Sequence, residues 1–207
     1  EVLYIMVHTS ERIAIVGVAE SDEIGKVPNK SSLQHHAEAA YNALEDAGLS
    51  IKDVNGVLSA GFSTLVIAEY LGIKPKFTDG TAVGGSSFII HIAHAMAAIK
   101  AGYCDVALVT HGEAGRSARN RPGLNLSEPG PQFEMPYGFI GAPVLYSLAA
   151  NRYMHQYGEN RTREAMADIA IATRKWALMN SKAYMKEPMT PDDYHNSRWI
   201  SWPFHLL

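Results

Sequence analysis

Four small residues, Gly84-Gly85-Ser86-Ser87, stand directly ahead of the apolar run from Phe88 to Ile99. A helix starting there offers unpaired backbone N–H groups and the positive end of its dipole to whatever lies in front of it. Such a turn can hold an anion or a developing oxyanion. Ser86 also reads as a plain N-cap, with the glycines allowing close packing. As a covalent nucleophile Ser86 needs a base beside it, and the sequence identifies none. His111 closes the run CDVALVTHGE, at the strand end where α/β sheets place ligands, and is a candidate pocket residue. Arg116, Arg119 and Arg121 could grip phosphates through charge-assisted bidentate bonds; a solvated basic loop is the alternative.

Other groups point to less. His91 and His94 have the i,i+3 spacing of a metal pair, but no carboxylate neighbours them, so they read as core histidines and no metal site is expected. His35 and His36 lie on an amphipathic segment, in surface or packing roles. Gly17-Val18-Ala19 lacks the spacing of a dinucleotide turn.

The elements that must position these residues follow from apolar periodicity. RIAIVGVAES (12–21) is a continuous β-branched run, as in a strand buried on both faces. Ser31 or Ser32 can cap a helix whose apolar face is Leu33, Ala37, Ala40, Leu44 and Ala47, stopped by Gly48. A strand over 53–60, a short helix over 64–71, a strand at KFTDG (76–80), the apolar helix over 86–101 and a strand over 104–113 come next. Strands alternating with helices predict a parallel α/β sheet. The segment 114–140 carries no apolar period, and so long a loop in a compact domain is usually functional. Helices follow near 142–157 and 162–180, the second capped by Asn160 or Thr162. The tail brings Tyr194, Trp199, Trp202 and Phe204 close together. The helix over 86–101 is apolar all round and therefore needs cover on every side.

Composition narrows the function. At 47% hydrophobic residues the chain can build a sizeable core. A net charge of −3 with no basic stripe argues against nucleic acid. No apolar run reaches the roughly 20 residues of a membrane helix. The single cysteine, Cys104, excludes an internal disulfide and fits a reducing compartment, so a cytoplasmic location is expected. Residues 1–11 read as a tag or disordered N-terminus.

The stretches RIAIVGVAES, HAEAAYNALEDAGLSIKDVNGV, AEYLGIKPKFTDGTAVGGSSF, AAIKAGYCDVALVTHGE, YSLAANRYMHQYG with REAMADIA, and SRWISWPFHLL follow one another in an order that resembles the thiolase superfamily. The similarity is to the bacterial and archaeal branch related to sterol-carrier-protein thiolases, and it covers nearly everything after Glu11. It implies an α/β fold of αβαβα layers made from two similar halves. This chain would supply the N-terminal αβα repeat (12–113) and most of the loop domain (114–207), with the C-terminal half missing. The family's central layer holds buried helices, the place an all-apolar helix requires.

The resemblance also implies a nucleophilic Cys at the start of that helix, but Gly85 stands at its position, followed by Ser86, Ser87 and Phe88. Cys104 cannot substitute, because it lies about 25 Å away along the helix at 1.5 Å per residue. The implied substrate is an acyl-coenzyme A thioester, with coenzyme A as part of the substrate and no covalently bound cofactor. Gly84, Gly85, Ser86, Ser87 and the three arginines would line its site. The implied reaction is acyl transfer with carbon–carbon bond formation or cleavage. One alternative is a Cys-less retro-aldolase acting on a β-hydroxyacyl thioester with a small partner protein. Another is a non-catalytic acyl-CoA-binding or scaffold subunit. A homodimer paired through Lys76–Asp79 is expected, since an open strand edge is a pairing template.

Overall fold

The computed structural model describes residues 3–9, 12–118, 129–139 and 141–207. The chain divides into two compact units, Glu1–Asn120 and Arg121–Leu207, a few residues beyond the expected division after Glu113.

The first unit is a five-stranded sheet with helices on both faces. In chain order it holds β1 (Leu3–Thr9), β2 (Arg12–Ala19), α1 (Ser32–Ala47), β3 (Gly56–Leu58), α2 (Thr64–Leu71), β4 (Phe77–Asp79), α3 (Ser87–Lys100), β5 (Val106–Val109) and a single turn, α4 (Gly115–Ala118). The strand order is β2-β1-β5-β3-β4. β3 pairs in parallel with β4 and β5, as expected from the alternating pattern. β1 places Leu3–Thr9, within the segment read as tag or disordered, in the sheet. It lies between β2 and β5, antiparallel to both, so the sheet is mixed. The segment LYIMVHT is rich in β-branched and aromatic residues, and an apolar strand follows it almost at once.

The period of two along the strands sorts the core into two layers. Val57, Val106 and Leu108 face α1 and α2, packing with Ala40, Ala43, Leu44, Ile67 and Leu71. Leu58, Ala107 and Val109 face the other way, onto Ala95, Ala98 and Ile99 of α3. Each fully buried Val, Leu or Ile contributes about 1.5–3 kcal/mol relative to exposure.

α1 starts at a capping box, with Ser31 accepting from the Gln34 N–H and the Gln34 side chain accepting from the Ser31 N–H. Gly48, in the left-handed region, ends it. The helix lies so close to β2 that a Cβ on Gly17 would sit 2.2 Å from the Ala43 carbonyl oxygen. α3 is covered on one side only. Ser87, His91, Ala95, Ala98 and Ile99 are buried, whereas Ile89 is 65% exposed and Met96 45% exposed. The single sheet of this chain covers only one side of α3, and the cover that an all-apolar helix needs on its far side must come from elsewhere.

The second unit contains α5 (Pro129–Glu134), α6 (Ala142–Tyr157), α7 (Glu159–Met179), α8 (Pro191–His195) and a hairpin of β6 (Trp199–Ser201) with β7 (Phe204–His205). α7 starts earlier than the expected 162. Gly158, at φ 98°, makes the break, so Thr162 is not a cap: it is buried inside the helix and its hydroxyl donates to the Gly158 carbonyl. Arg163 lies over Trp199 and Trp202, 5.6 and 5.2 Å from their ring centres, and pins the hairpin to α7. Among the described residues, no helix is long and apolar enough to cross a membrane.

Candidate functional site

The turn ahead of α3 is held by Ser87. Its hydroxyl donates to the Gly84 carbonyl at 2.6 Å and accepts from the Val83 N–H at 2.9 Å. Ser87 is fully buried, so it is a structural tie and does not line the site. Ser86 occupies the N-cap position, yet its side chain makes no capping bond, which corrects the cap expectation. Its backbone, at φ −80° and ψ −6°, has already turned helical, away from the extended geometry a capping side chain uses. Gly84 has φ +79°, a conformation that favours glycine. Gly85 has no such demand, and a Cβ built there meets nothing within 4 Å. Gly84, Gly85 and Ser86 are exposed at the dipole's positive end.

His111 follows β5 and comes to this turn through Phe88, whose ring centre lies 4.5 Å from the imidazole. Its Nε2 is 3.6 Å from a Glu113 carboxylate oxygen. Behind it sits His36, 6.3 Å away between ring centres and fully enclosed. His36 Nδ1 is 2.8 Å from the Thr110 hydroxyl. Burial, then the nearby His111 and His35, pushes its pKa down to about 4, so it stays neutral. Gly112 makes this proximity possible: a Cβ there would lie 2.7 Å from the Ser32 carbonyl oxygen and 2.8 Å from His36 Cδ2. His35 is buried, in keeping with a packing role, and lines a small acidic cleft with Glu20, Glu23 and Glu113.

The paired histidines of α3 turn to different partners. His91 is buried and its Nε2 donates to the Thr81 carbonyl at 2.9 Å. His94 does have a carboxylate neighbour, contrary to expectation: its Nδ1 meets Asp79 Oδ2 at 2.5 Å. The other Asp79 oxygen accepts from the Thr81 N–H and hydroxyl. Burial alone would raise the Asp79 pKa, but Thr81 and His94 outweigh it and hold the carboxyl below its usual range. Asp79 and His94 come from a strand and a helix fifteen residues apart, so no local spacing marks them.

Arg116 lies on the single turn of α4. Arg119 and Arg121 lie outside the described residues. Cys104 is buried under α3's far end, packed so that a Cβ on Gly56 would sit 2.9 Å from its sulfur. Burial, then Asp105, raises its thiol pKa against the opposing pull of Lys76. It is a core residue and no nucleophile.

A glycine-rich turn opening onto a helix N-terminus beside a mixed α/β sheet, with helices on both faces, makes this unit an αβα layered one. No family model matches the chain. It is 33% identical over 211 residues to the 17-hydroxy-3-oxo-4-pregnene-20-carboxyl-CoA lyase of Mycobacterium tuberculosis, covering 96% of this chain and 54% of that protein. The solved Ltp2-ChsH2(DUF35) aldolase matches 99% of this chain at a TM-score of 0.81 and 28% identity, over 51% of its own chain. The SCP2-thiolase-like protein type 1 of Mycobacterium smegmatis shares the fold, with a TM-score of 0.67 at 21% identity, over 94% of this chain and 39% of its own. The chain belongs to the thiolase superfamily, in the branch of the sterol-carrier-protein thiolase-like proteins. It spans about half the length of the curated lyase and of the aldolase chain.

Proposed function

We propose that this chain is part of an acyl-coenzyme A carbon–carbon lyase that works by retro-aldol cleavage, without a covalent acyl intermediate, together with a partner protein. The observation that carries this is Gly85: it is open to solvent at the helix N-terminus, with room for a side chain and none present. The chain's one thiol is buried elsewhere. The similarity to a coenzyme A lyase and to a two-component aldolase supports the same choice over thiolytic acyl transfer.

In this reading a base takes the proton of the substrate's β-hydroxyl. The Cα–Cβ bond breaks, the β-carbon leaves as a carbonyl compound, and the electron pair passes to the thioester as an enolate. The enolate oxygen faces the N–H groups at the start of α3, where the turn around Gly85 and Ser86 supplies donors and dipole. His111, set beside that turn by Phe88 and facing Glu113, is the candidate base in this chain. Protonation of the enolate carbon releases the shortened thioester. Arg116, with Arg119 and Arg121, is proposed to meet the coenzyme's phosphates. The exposed side of α3 would be covered by the family's second half.

The test uses the complete polypeptide with its partner and a β-hydroxyacyl-coenzyme A thioester carrying a radiolabel in the acyl group. The expected products are a carbonyl compound and a shorter thioester, with no label on the protein after acid quench. Label retained on the protein, or thiolysis of a β-ketoacyl thioester at enzymatic rates, would sink the proposal.

A further inference from the structure

α7 carries a second, unrelated feature. Ala165, Ile169, Ala172, Trp176 and Met179 are all exposed, and they recur at intervals of 4, 3, 4 and 3 residues. That is the 3.5-residue period of a coiled-coil seam. Ile169, Trp176 and Met179 are 67%, 72% and 76% exposed. The opposite side of the helix is engaged: Ala167 is buried, Arg174 donates to the Glu187 carbonyl, and Arg163 is held by the two indoles. The helix is thus anchored on one side and bare along a straight apolar seam on the other.

We propose that this seam pairs with the same seam of a second copy of the chain, antiparallel. The occupant follows from complementarity. With two copies antiparallel and Ile169 of one opposite Ala172 of the other, Trp176 falls opposite Ala165. Each of these layers then sets a large side chain against alanine. In the same register the exposed Asp168 flanks Lys175 of the second copy, and Lys175 flanks its Asp168. Opposite charges in these flanking positions set partner and orientation. A parallel pairing in register would place Trp176 on Trp176 and leave Asp168 and Lys175 without each other. Size and charge are both matched in the antiparallel sense, which a two-fold axis perpendicular to the helices generates.

The test is register-specific cross-linking in the complete protein. Asp168→Cys and Lys175→Cys are made as separate variants and exposed to a short bis-maleimide, alone and mixed. In the proposed pairing the Asp168 position of one copy lies only about 3 Å along the axis from the Lys175 position of the other, at 1.5 Å per residue. The two Asp168 positions are separated by about 8 Å along the same axis and the two Lys175 positions by about 14 Å. Covalent dimers should therefore form fastest in the mixture and slowest with Lys175→Cys alone. Reversing one charge, in Asp168→Lys or Lys175→Asp, should weaken self-association about tenfold, and combining both should restore it. No cross-link in the mixture, or equal cross-linking in all three samples, overturns the pairing. So does Trp176 fluorescence shielded from acrylamide without cross-linking, which would assign the seam to another segment or a different protein.

Discussion

Acidification should cost this protein stability through His36 in a way that one substitution isolates. The unfolded imidazole titrates near 6.5, while in the folded protein burial and two neighbouring histidines push it down to about 4. Between those values the unfolded state binds a proton that the folded state refuses. Stability contributed by the neutral ring is therefore complete above about pH 6.5 and falls as pH drops, by about 1.4 kcal/mol per unit for one proton. Over roughly 2.5 units the loss reaches about 3 kcal/mol. His36→Asn keeps a polar atom near the position that meets the Thr110 hydroxyl but cannot titrate. The variant is less stable overall, so the informative quantity is the difference between wild type and variant at each pH. Urea unfolding of the complete protein from about pH 7.5 to about pH 4, the window set by the two pKa values, gives it directly. The wild-type advantage should shrink steadily below about pH 6.5. A difference that stays constant across that range would refute the argument, since the buried ring would then protonate as readily folded as unfolded.

Three further outcomes are expected. Gly112→Ala must displace His36 or the first turn of α1, because the added carbon falls within 3 Å of both; a loss of about 2–3 kcal/mol in chemical unfolding is expected, and a neutral result would discount the contact. Cys104→Ala should leave the proposed cleavage activity unchanged, and iodoacetamide should label native Cys104 only as fast as the fold opens. The homodimer through β4 that the resemblance implies is tested at Thr78, because the Phe77 N–H is already used by the Asn55 carbonyl. Thr78→Pro should shift light scattering toward the monomer, and a clean dimer would exclude that edge.

The alternating strands and helices of the first unit were legible because both faces of the sheet are covered, leaving unbroken apolar runs such as Val106–Val109. α6 was legible at both ends, where Gly141-Ala142-Pro143 starts it and Gly158 stops it. β1 was lost because a short apolar N-terminus looks the same as a tag until its partner strands are known. The start of α7 was lost because Thr162, a good cap by composition, spends its hydroxyl on a carbonyl inside the helix. At the site, Gly84, Gly85 and His111 were visible as a turn and a strand end. That Ser87, and not Ser86, ties the turn together was not, since the two serines are adjacent and alike in sequence. The Asp79–His94 pair and the enclosure of His36 depend on contacts between elements, and no spacing along the chain encodes them.

The glycines separate what the fold demands from what the site demands. Gly17, Gly56 and Gly112 are glycines because a neighbouring atom, at 2.2, 2.9 and 2.7 Å, already occupies the place of a Cβ. Gly84 is glycine because its φ of +79° strains any other residue. Gly85 meets neither condition, so packing and backbone geometry would both accept a cysteine there. What remains is the space itself, at the positive end of α3 and within reach of the turn's N–H groups. In the proposed reaction, that space is where the bound thioester would bring its carbonyl oxygen. An enzyme that attacks that carbonyl needs a nucleophile at this point. One that only stabilises the enolate of the same thioester gains by leaving the point empty. The missing side chain thus argues for the chemistry in which the thioester stays intact while a bond one carbon further along is broken.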